Sequence, residues 1–585
     1  MLMSSGCGGK FLQEELVKGI DKEMEAEWKQ SGRTSGDLQY NPNILVIAVK
    51  MNTIMKCTSF CSRSTNLIKR LYHMSKYTVE IPNVSIGQYI LNGFNKRDDK
   101  IALVEGITDK KTTFAELHEQ IQHVTSNLSA LGFGPGHVAC LCGFNAPEFA
   151  HVFCSVTLLG GALTIANPQL TAGELQTQVN ETGTSVLFVT PDCVEKAKVV
   201  SQTSKQIRHV IVVGHHHELP TLEKLMRPRP HVTPVVVDPA SHVALLPFSS
   251  GTTGLPKGVM LTHRNLVAEL AALSHEHFLP FGDGDSSLAA LPMVHIAGLV
   301  IGLLNPLSQG AAVVTLPRFQ PDTFLASLEK YKTTFSLIAP PVVNFLATDP
   351  SVERYDLSHW RTPYSGAAPL GKDLTETVVR KLGLTGLRQG YGMSETSPAT
   401  HTTPLDWWKY GSIGVPLPNT ESKVVDIDTM ATLNAHAHGE IWVRGPQVMK
   451  GYLNKPEATR ETLMEDGWLR TGDIGYYDDD GHYFVVDRLK EIIKYKGYQI
   501  APAYLESVLL QHPAVCDAAV VGKAHPVHGH LPTAYVVCNT SVTADDIAQF
   551  VNMQVAPYKR LRGGVNIVKE LPRSPSGKIL RKNLL

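Results

Sequence analysis

The sequence predicts an α/β protein in which a large N-terminal domain of layered β-sheets and helices precedes a small α+β domain. The chain has 585 residues, which is too long for a single hydrophobic core. From about Glu80 to Val485, short apolar runs that suit strands alternate with longer helical stretches. This alternation is typical of parallel β-α units, whose sheet is covered by helices on both faces.

Individual elements follow from local signals along the chain. Thr113 is suited to cap an amphipathic helix, and the glycine-rich run 131–136 ends that helix. Strand-like runs follow at residues 138–142, 162–165 and 185–189. Because helical stretches separate these runs, we expect the strands to lie parallel to one another.

The same patterns divide the chain into three parts. Residues 1–79 are predicted to be a disordered or targeting extension, residues 80–487 the large domain, and residues 488–585 the small C-terminal domain. The run 478–481, three aspartates and a glycine, predicts a tight hairpin near the end of the large domain. The charged run 487–490 predicts a joint between the two domains.

Residues 45–79 have the composition of a mitochondrial transit peptide. They contain no aspartate or glutamate, and six lysines or arginines alternate with serines, threonines and apolar residues. Such a signal acts from a free N-terminus, so Met51 or Met55 is expected to be the start used in the cell. We therefore expect a mitochondrial location. The alternatives are a disordered basic linker and a cytoplasmic protein.

Composition argues against several classes of partner. Lysine plus arginine equals aspartate plus glutamate at 54 each, so no net field draws the protein to nucleic acid or to an anionic membrane. The apolar stretch 291–304 is too short to span a bilayer and is expected to form a buried pocket wall. The nine cysteines are scattered and are expected to be buried, reduced thiols. The histidines at 215–217 are expected in a solvated loop rather than around a metal ion.

The most informative segment is a run of glycines, hydroxyls and one lysine between residues 249 and 258. Its glycines permit close backbone approach, its amides can form a concave anion site, and its hydroxyls and ammonium complete a phosphate cradle. The spacing is not that of a Walker A loop. Because Thr262, His263 and a helical pattern follow, the loop is expected to open onto a helix. The expected phosphate ligands are Ser249, Ser250, Gly251, Thr252, Thr253, Gly254 and Lys257.

This run resembles the phosphate loop of the adenylate-forming enzymes, which include acyl-CoA synthetases, 4-coumarate:CoA ligases, firefly luciferase and the adenylation domains of peptide synthetases. Further motifs extend the resemblance over about residues 80–585. It implies an enzyme that uses ATP, Mg²⁺ and a carboxylic acid. It also implies that the C-terminal domain is mobile and serves two half-reactions in turn.

The segments 365–370 and 389–396 match the family's adenine and metal motifs. The resemblance implies that Tyr391 stacks on adenine and that Ser394, where the family usually has threonine, contacts the α-phosphate. It also implies that Glu395 is a Mg²⁺ ligand. The residues expected to contact the nucleotide in these segments are Ala367, Gln389, Gly390, Tyr391 and Ser394.

Later motifs complete the nucleotide site by the same resemblance. Asp473 and Arg488 would contact the ribose hydroxyls, and Lys490 matches the hinge position. Lys578 matches the catalytic lysine that holds the substrate carboxylate and the α-phosphate together. The nucleotide contacts implied in this part of the chain are Asp473, Arg488, Lys490, Lys494, Gln499 and Lys578.

Coenzyme A is the expected acyl acceptor. The chain extends only seven residues beyond Lys578, so no carrier domain is expected after it. The resemblance implies that Lys496 and Gly497 line the CoA channel. It places Arg318 where ligases carry a lysine near the CoA phosphates, and arginine can bind phosphate in a bidentate way.

The acid substrate is inferred from the segment 292–299, which matches the family's gating motif. His295 is retained and is expected to act with Lys257 and Lys578 in catalysis. Ala297 stands where hydroxycinnamate ligases carry an aromatic residue. A methyl group in place of a ring is expected to widen the apolar pocket. The expected acyl-pocket residues are His295, Ala297, Pro398 and Ala399.

We therefore expect a ligase for a medium- to long-chain fatty acid. The alternatives are a 4-coumarate-type phenylpropanoid ligase, a luciferase-like oxygenase and a nucleotide-binding scaffold without catalysis. The intact motif residues argue against the scaffold. The sequence leaves the oligomeric state open.

Overall fold

The structure is a computed structural model that describes residues 72–95, 97–249, 256–368, 370–496, 498–525, 527–574 and 578–585, apart from the side chain of Gln499. Contacts divide the chain between Ile68 and Lys69. Most of the predicted targeting segment and of the predicted extension, up to residue 71, therefore lies outside the described residues.

The predicted α/β class is confirmed, with strands arranged in four sheets. The strands are β1 His73–Met74, β2 Ile101–Glu105, β3 Lys111–Thr113, β4 Val138–Cys142, β5 Ala162–Ala166, β6 Thr184–Val189, β7 His209–Val212, β8 Val243–Leu246, β9 Phe248–Ser249, β10 Lys257–Thr262, β11 Ser286–Ala289, β12 Ala312–Thr315, β13 Phe335–Ile338, β14 Thr362–Ser365, β15 Arg388–Gly392, β16 Ala399–Thr402, β17 Val415–Pro416, β18 Glu421–Val425, β19 Gly439–Arg444, β20 Gly451–Tyr452, β21 Leu469–Tyr477, β22 Tyr483–Arg488, β23 Ile493–Tyr495, β24 Tyr498–Ile500, β25 Val515–His525, β26 Gly529–Cys538 and β27 Val565–Ile567.

Helices connect most of the parallel strands. The α-helices are α1 Ile86–Asn92, α2 Phe114–Ala130, α3 Phe149–Leu158, α4 Ala172–Thr182, α5 Val194–Thr203, α6 Leu222–Leu225, α7 His263–Leu273, α8 Asn305–Ser308, α9 Pro321–Tyr331, α10 Pro340–Thr348, α11 Lys372–Leu382, α12 Pro456–Thr462, α13 Pro502–Leu509 and α14 Ala544–Gln554. A π-helix, Gly298–Leu304, is buried along its whole length, and it accounts for half of the apolar stretch 291–304. No helix in the described ranges is long and apolar enough to cross a membrane.

The first large sheet has the order β20-β10-β8-β5-β4-β6-β7, with β9 paired to β10. Strands β8, β5, β4, β6 and β7 are parallel, as predicted from the alternation of strands and helices. The predicted runs coincide with β4, β5 and β6 to within one residue. Helix α2 begins at the expected cap, where Thr113 Oγ1 accepts the N–H of Glu116 at 3.2 Å.

Helices cover this sheet on both faces. On one face Leu141 and Phe188 pack in the main core with α2 and α3. On the other face Cys140 and Leu187 pack with α4 and α5 in a separate cluster. Successive strand residues point to opposite faces, so strands buried on both faces are nearly all apolar. The six described cysteines form no disulfide: Cys140, Cys142, Cys154 and Cys193 are buried, and Cys516 and Cys538 are half-buried.

The second large sheet has the order β17-β16-β15-β14-β13-β11-β12-β2-β3. Strands β2, β12, β11, β13, β14 and β15 are parallel, and antiparallel strands close both edges. Helices α9, α10 and α11 pack against it through a second core cluster that includes Phe324, Val343 and Val378. The carboxyl ends of β14 and β15 therefore point to one edge, where ligands bind in open α/β sheets.

A smaller antiparallel sheet has the order β1-β18-β19-β21-β22, and the predicted hairpin at 478–481 joins β21 to β22. Strand β1 corrects the sequence analysis, because residues 72–79 were assigned to the extension. His73 pairs with Ser422, and the Val79 N–H donates to Asn419 Oδ1. No local signal marks this short strand, since its partners lie about 340 positions later.

The last sheet has the order β24-β23-β26-β25, with β27 paired to β26, and it packs with α13 and α14 around its own core. Two guanidinium groups near the end of the chain bind carboxylates in β25 and α13. Arg573 Nη2 donates to both carboxylate oxygens of Asp517, and Arg581 Nη2 donates to both oxygens of Glu506.

Asn265, in the first turn of α7, connects the first large sheet to the segment before β20. Its Oδ1 accepts the N–H of Thr262 at 2.9 Å. Its Nδ2 donates to the carbonyls of Pro446 and Val448 at 2.7 and 2.9 Å. The side chain therefore caps a helix and satisfies two carbonyls at once.

We predict that Asn265→Ala lowers the free energy of unfolding of the large domain by about 3 kcal/mol, because one cap and two bonds to carbonyls are lost at roughly 1 kcal/mol each. Glu174→Ala is the matched control, since Glu174 occupies the same position in the exposed capping box of α4 and should cost only about 1 kcal/mol. Urea denaturation measures both. Equal losses would contradict the connecting role of Asn265.

Candidate active site

The phosphate-loop segment begins and ends on paired strands. Ser249 lies opposite Lys257, and Phe248 lies opposite Gly258, in the antiparallel pair of β9 and β10. Residues 250–255, which include Ser250, Gly251, Thr252, Thr253 and Gly254, lie outside the described residues. The expectation that the loop opens onto a helix is wrong, because β10 separates Lys257 from α7. Val259 and Leu261 of this strand are buried in the main core, which favours strand over helix here.

The segments expected to flank adenine lie at the ends of neighbouring parallel strands. Ala367 follows β14 and Gln389 lies in β15, where it is paired with Ser365. Ala367 has φ 73°, a left-handed conformation that is uncommon outside glycine. Gly390 is required by space, since a Cβ there would lie 1.8 Å from the hydroxyl of Tyr364. The structure therefore brings these residues to one edge of the second large sheet.

Tyr391 and Arg488, both half-buried, contact the buried carboxylate of Asp473. The Tyr391 hydroxyl donates to Asp473 Oδ2 at 2.7 Å, and Arg488 Nε lies 3.1 Å from Asp473 Oδ1. Burial raises the pKa of Asp473, while Arg488 and Tyr391 act to lower it. Burial alone would lower the pKa of Arg488, but the attraction of Asp473 raises it above its ordinary value. The two expected ribose contacts therefore meet next to the tyrosine expected to stack on adenine.

Lys578 lies close to this group although it comes from the far end of the chain. Burial, and then repulsion from Arg488, lowers its pKa to about 8, against the attraction of Glu491 and Asp473. Lys490 is near Lys257, since burial, and then repulsion from Lys257, lowers the pKa of Lys490. The expected catalytic lysine, hinge lysine and phosphate-loop lysine therefore converge with Arg488 on one electropositive region, as a polyphosphate and a carboxylate require.

Glu395 lies in the turn between β15 and β16, in a 3₁₀ segment with Ser394. Its carboxylate is buried, and Oε1 accepts the hydroxyl of Tyr452 at 2.8 Å. Lys257 Nζ lies 4.8 Å from the centre of the Tyr452 ring. A hard carboxylate beside the phosphate-loop lysine fits Mg²⁺, which is usually held by one or two carboxylates together with substrate phosphates.

Tyr452 was missed by the sequence analysis. It lies 57 positions after Glu395, and no spacing pattern in the sequence connects the two residues. The tertiary fold brings them together, since the Met449 N–H, just before β20, donates to the Glu395 carbonyl at 2.8 Å.

The expected acyl-pocket residues lie around one apolar cluster. Ala399 is buried in it, and Ala297 packs against it together with Leu291. Leu337, Phe335, Ile301 and Tyr364 are further members of this cluster. Pro398 is buried next to Ala399.

His295 lies two positions before Ala297 in the chain, and Glu269 contacts Ala399 directly. Burial lowers the pKa of His295, whose Nε2 is buried and has no hydrogen-bond partner among the described residues. The Ala399 N–H donates to Glu269 Oε1 at 2.8 Å, and burial raises the pKa of Glu269 well above its usual value. Burial therefore disfavours the charged form of both side chains.

The expected CoA contacts lie elsewhere. Arg318 is exposed beyond β12, with its guanidinium 5.6 Å from the centre of the Phe144 ring. Lys494 and Lys496 are both exposed on the β23–β24 hairpin, where Lys494 pairs with Gln499 and Lys496 has φ 48°. Gly497 is not among the described residues. Lys578 is near enough to the Asp473 group to lower the pKa of Asp473 by its attraction, against the larger effect of burial.

Comparison with known proteins defines the class. The family of AMP-binding enzymes matches residues 92–453, and the C-terminal domain of AMP-binding enzymes matches residues 504–578. The chain belongs to this family of adenylate-forming enzymes.

Individual relatives narrow the class. A 4-coumarate–CoA ligase from Narcissus pseudonarcissus is 40% identical over 86% of this chain and 93% of its own length. The crystal structure of an anthranilate CoA ligase with anthranoyl-AMP has a TM-score of 0.79 at 25% identity, covering 86% of this chain and 96% of its own. ATP-bound MatB from Rhodopseudomonas palustris gives the same TM-score and identity, covering 86% and 98%. The protein is an AMP-forming acid–CoA ligase that uses ATP, Mg²⁺ and CoA and proceeds through an acyl-adenylate.

We predict that Lys578 loses its proton near pH 8, because burial and Arg488 disfavour the charged form. Competitive acetylation of the free protein across a pH series, read by mass spectrometry, should show the reactivity of Lys578 rising with a midpoint near pH 8. Exposed Lys569 provides an internal reference for labelling in the same sample. A midpoint near 10.5, the value of an ordinary lysine, would contradict this environment.

Proposed function

We propose that the acid activated by this ligase is a medium- to long-chain fatty acid. The observation that supports this most directly is the pair of alanines, Ala297 and Ala399, in one apolar cluster. An alkyl chain gains about 0.8 kcal/mol for each methylene that it buries, or roughly fourfold in affinity. Burial raises the pKa of Glu269 and lowers that of His295, so it disfavours charge on both side chains, which suits an uncharged alkyl tail.

In the first half-reaction, an oxygen of the substrate carboxylate attacks the α-phosphorus of ATP. The bond from that phosphorus to the bridging oxygen breaks, and its electron pair leaves with pyrophosphate. Lys257 and Lys578 reduce the repulsion among the anionic groups that meet there. Mg²⁺, held by Glu395, would add further charge neutralisation to the phosphates.

In the second half-reaction, the thiolate of CoA attacks the acyl carbon, and the bond from that carbon to the AMP oxygen breaks. We propose that the C-terminal domain turns about Lys490 between the two steps. This would withdraw Lys578 and bring the β23–β24 hairpin, with Lys494 and Lys496, to the site. Support comes from the attraction of Lys578 on Asp473, which indicates that Lys578 lies near the nucleotide residues, while Lys494 and Lys496 are exposed.

A second candidate substrate is a phenylpropanoid acid, as in the 40% identical 4-coumarate–CoA ligase. The guanidinium of Arg388 lies 5.8 Å from the ring of Tyr364 at the border of the acyl cluster. Its Nη1 donates to the Phe278 carbonyl at 2.6 Å, while Nε and Nη2 are buried without a partner among the described residues. A phenolic oxygen at the far end of an acid would suit these donors.

ATP–pyrophosphate exchange across a panel of acids tests the two candidates. For a fatty-acid ligase, kcat/KM should increase up to about fourfold for each added methylene until the pocket is full. For a phenylpropanoid ligase, 4-coumarate should exceed both cinnamate and every alkanoic acid. Exchange with no acid in the panel would contradict both.

We predict that Ala297→Tyr shifts preference from long alkyl acids to shorter or aromatic ones, because the ring occupies volume that the tail requires. The ratio of kcat/KM between a long-chain and an aromatic acid should fall at least tenfold. Ala347→Tyr is the control, since Ala347 packs against the core of the second large sheet and not against the acyl cluster. An unchanged ratio would remove Ala297 from the pocket.

We predict that Lys578→Ala slows acyl-adenylate formation at least a hundredfold, because a charge-assisted contact is lost in the transition state. Thioester formation from a synthetic acyl-adenylate and CoA should fall much less. Pyrophosphate exchange and thioester release measure the two steps separately. Equal losses in both steps would exclude a domain movement that withdraws Lys578.

A further inference from the structure

Strand β20 lies between the two parts of the site that handle phosphate charge. On one side it pairs with β10, which begins at Lys257, and Tyr452 lies opposite Val259. The N–H of Leu453 donates to the Gly258 carbonyl at 2.8 Å. On the other side the N–H of Met449, just before β20, donates to the carbonyl of Glu395 at 2.8 Å. The backbone around β20 is therefore bonded to both segments.

The side chain of Tyr452 repeats this connection. Its hydroxyl donates to Glu395 Oε1 at 2.8 Å, and its ring lies 4.8 Å from Lys257 Nζ. Its own N–H is held by Thr459 Oγ1 at 2.9 Å. The side chain is 7% exposed, so burial limits the ring to one orientation.

We propose that Tyr452 is a positioning residue that sets the metal-binding carboxylate of Glu395 and the ammonium of Lys257 in one geometry before ATP binds. This inference rests on the proposed roles of Glu395 and Lys257. The hydroxyl leaves Glu395 Oε2 outside the bond and orients the carboxylate. The face of the ring attracts the lysine ammonium.

The two groups that Tyr452 contacts carry opposite charges and are proposed to bind opposite partners: the Glu395 carboxylate a cation, and the Lys257 ammonium a phosphate. A carboxylate left alone beside Lys257 would form a direct ion pair, in which each charge would cancel the other. Tyr452 keeps each group attached to a neutral partner, so that both charges remain available to a cation and a phosphate.

The ring of Tyr452 also packs in the main core, so a purely structural role for this residue has to be distinguished from positioning. Tyr452→Phe keeps the ring and removes only the hydroxyl, so it separates orientation from packing. Tyr331→Phe is the matched control: the Tyr331 hydroxyl donates to Asp109 Oδ1 at 3.0 Å, at the opposite edge of the second large sheet.

The experiment is isothermal titration of ATP into the full-length enzyme at a series of free Mg²⁺ concentrations, without acid or CoA, so that no turnover occurs. For Tyr452→Phe, the Mg²⁺ concentration that half-saturates ATP binding should rise about tenfold, as is usual for the loss of a partner of a metal ligand. ATP affinity at saturating Mg²⁺ should stay within twofold. Tyr452→Leu should also lose roughly three- to fivefold in ATP affinity, because Lys257 loses the ring.

Glu395→Gln separates failure of this inference from failure of the assignments beneath it. If Glu395→Gln leaves the Mg²⁺ dependence unchanged, Glu395 is not the metal ligand and the inference falls with that assignment. If Glu395→Gln raises the Mg²⁺ concentration that half-saturates ATP binding, but Tyr452→Phe behaves like Tyr331→Phe, only the inference is overturned. A drop in thermal midpoint of Tyr452→Phe, with unchanged Mg²⁺ dependence, would assign Tyr452 a packing role alone.

Discussion

The buried contact of Asp473 with Tyr391 and Arg488 is the interaction on which the rest of the site depends. Tyr391 lies in the second large sheet. Asp473 and Arg488 lie opposite each other in the small antiparallel sheet, where Arg488 is the last residue of β22. A carboxylate that is only 4% exposed needs both partners to remain charged. Their pairing therefore links the second large sheet to the small antiparallel sheet, and Lys578 lies near enough to attract Asp473.

Charge around this contact explains why the site suits adenylate chemistry. Lys257, Lys490, Arg488 and Lys578 lie near one another, and mutual repulsion with burial lowers the pKa of Lys490 and Lys578. The free protein thus holds cations together at a cost in stability, and a triphosphate and a carboxylate relieve that repulsion when they bind. The acyl cluster has the opposite character, since its members are apolar and burial disfavours the charged forms of Glu269 and His295. One site therefore offers positive charge to phosphates and a largely apolar wall to the tail of the acid.

The sequence predicted much of the fold because its signals are local. The capped helix at Thr113 and the strands at 138–142 and 185–189 depend on neighbours within a few positions, and the structure has them where expected. Two errors concern short strands, one with a distant partner and one next to the phosphate loop. Residues 72–79 were assigned to the extension although β1 pairs with β18, and β10 was not foreseen between the phosphate loop and α7. A strand of two residues, such as β1, is too short to show an alternation of polar and apolar side chains. Strand β10 is longer, but its buried residues do not alternate with exposed ones.

By itself the sequence determined the class of chemistry, since glycines, hydroxyls, lysines and carboxylates in the family's motifs specify the atoms available to ATP. It also determined the α/β alternation, because apolar periodicity decides which segments can be buried. Only the tertiary structure decided which of these residues meet. Lys578 joins Asp473 across about a hundred positions, and Tyr452 joins Glu395 to Lys257 through the pairing of β20 with β10. Such contacts depend on how whole sheets and domains pack, and no short window of sequence contains that information.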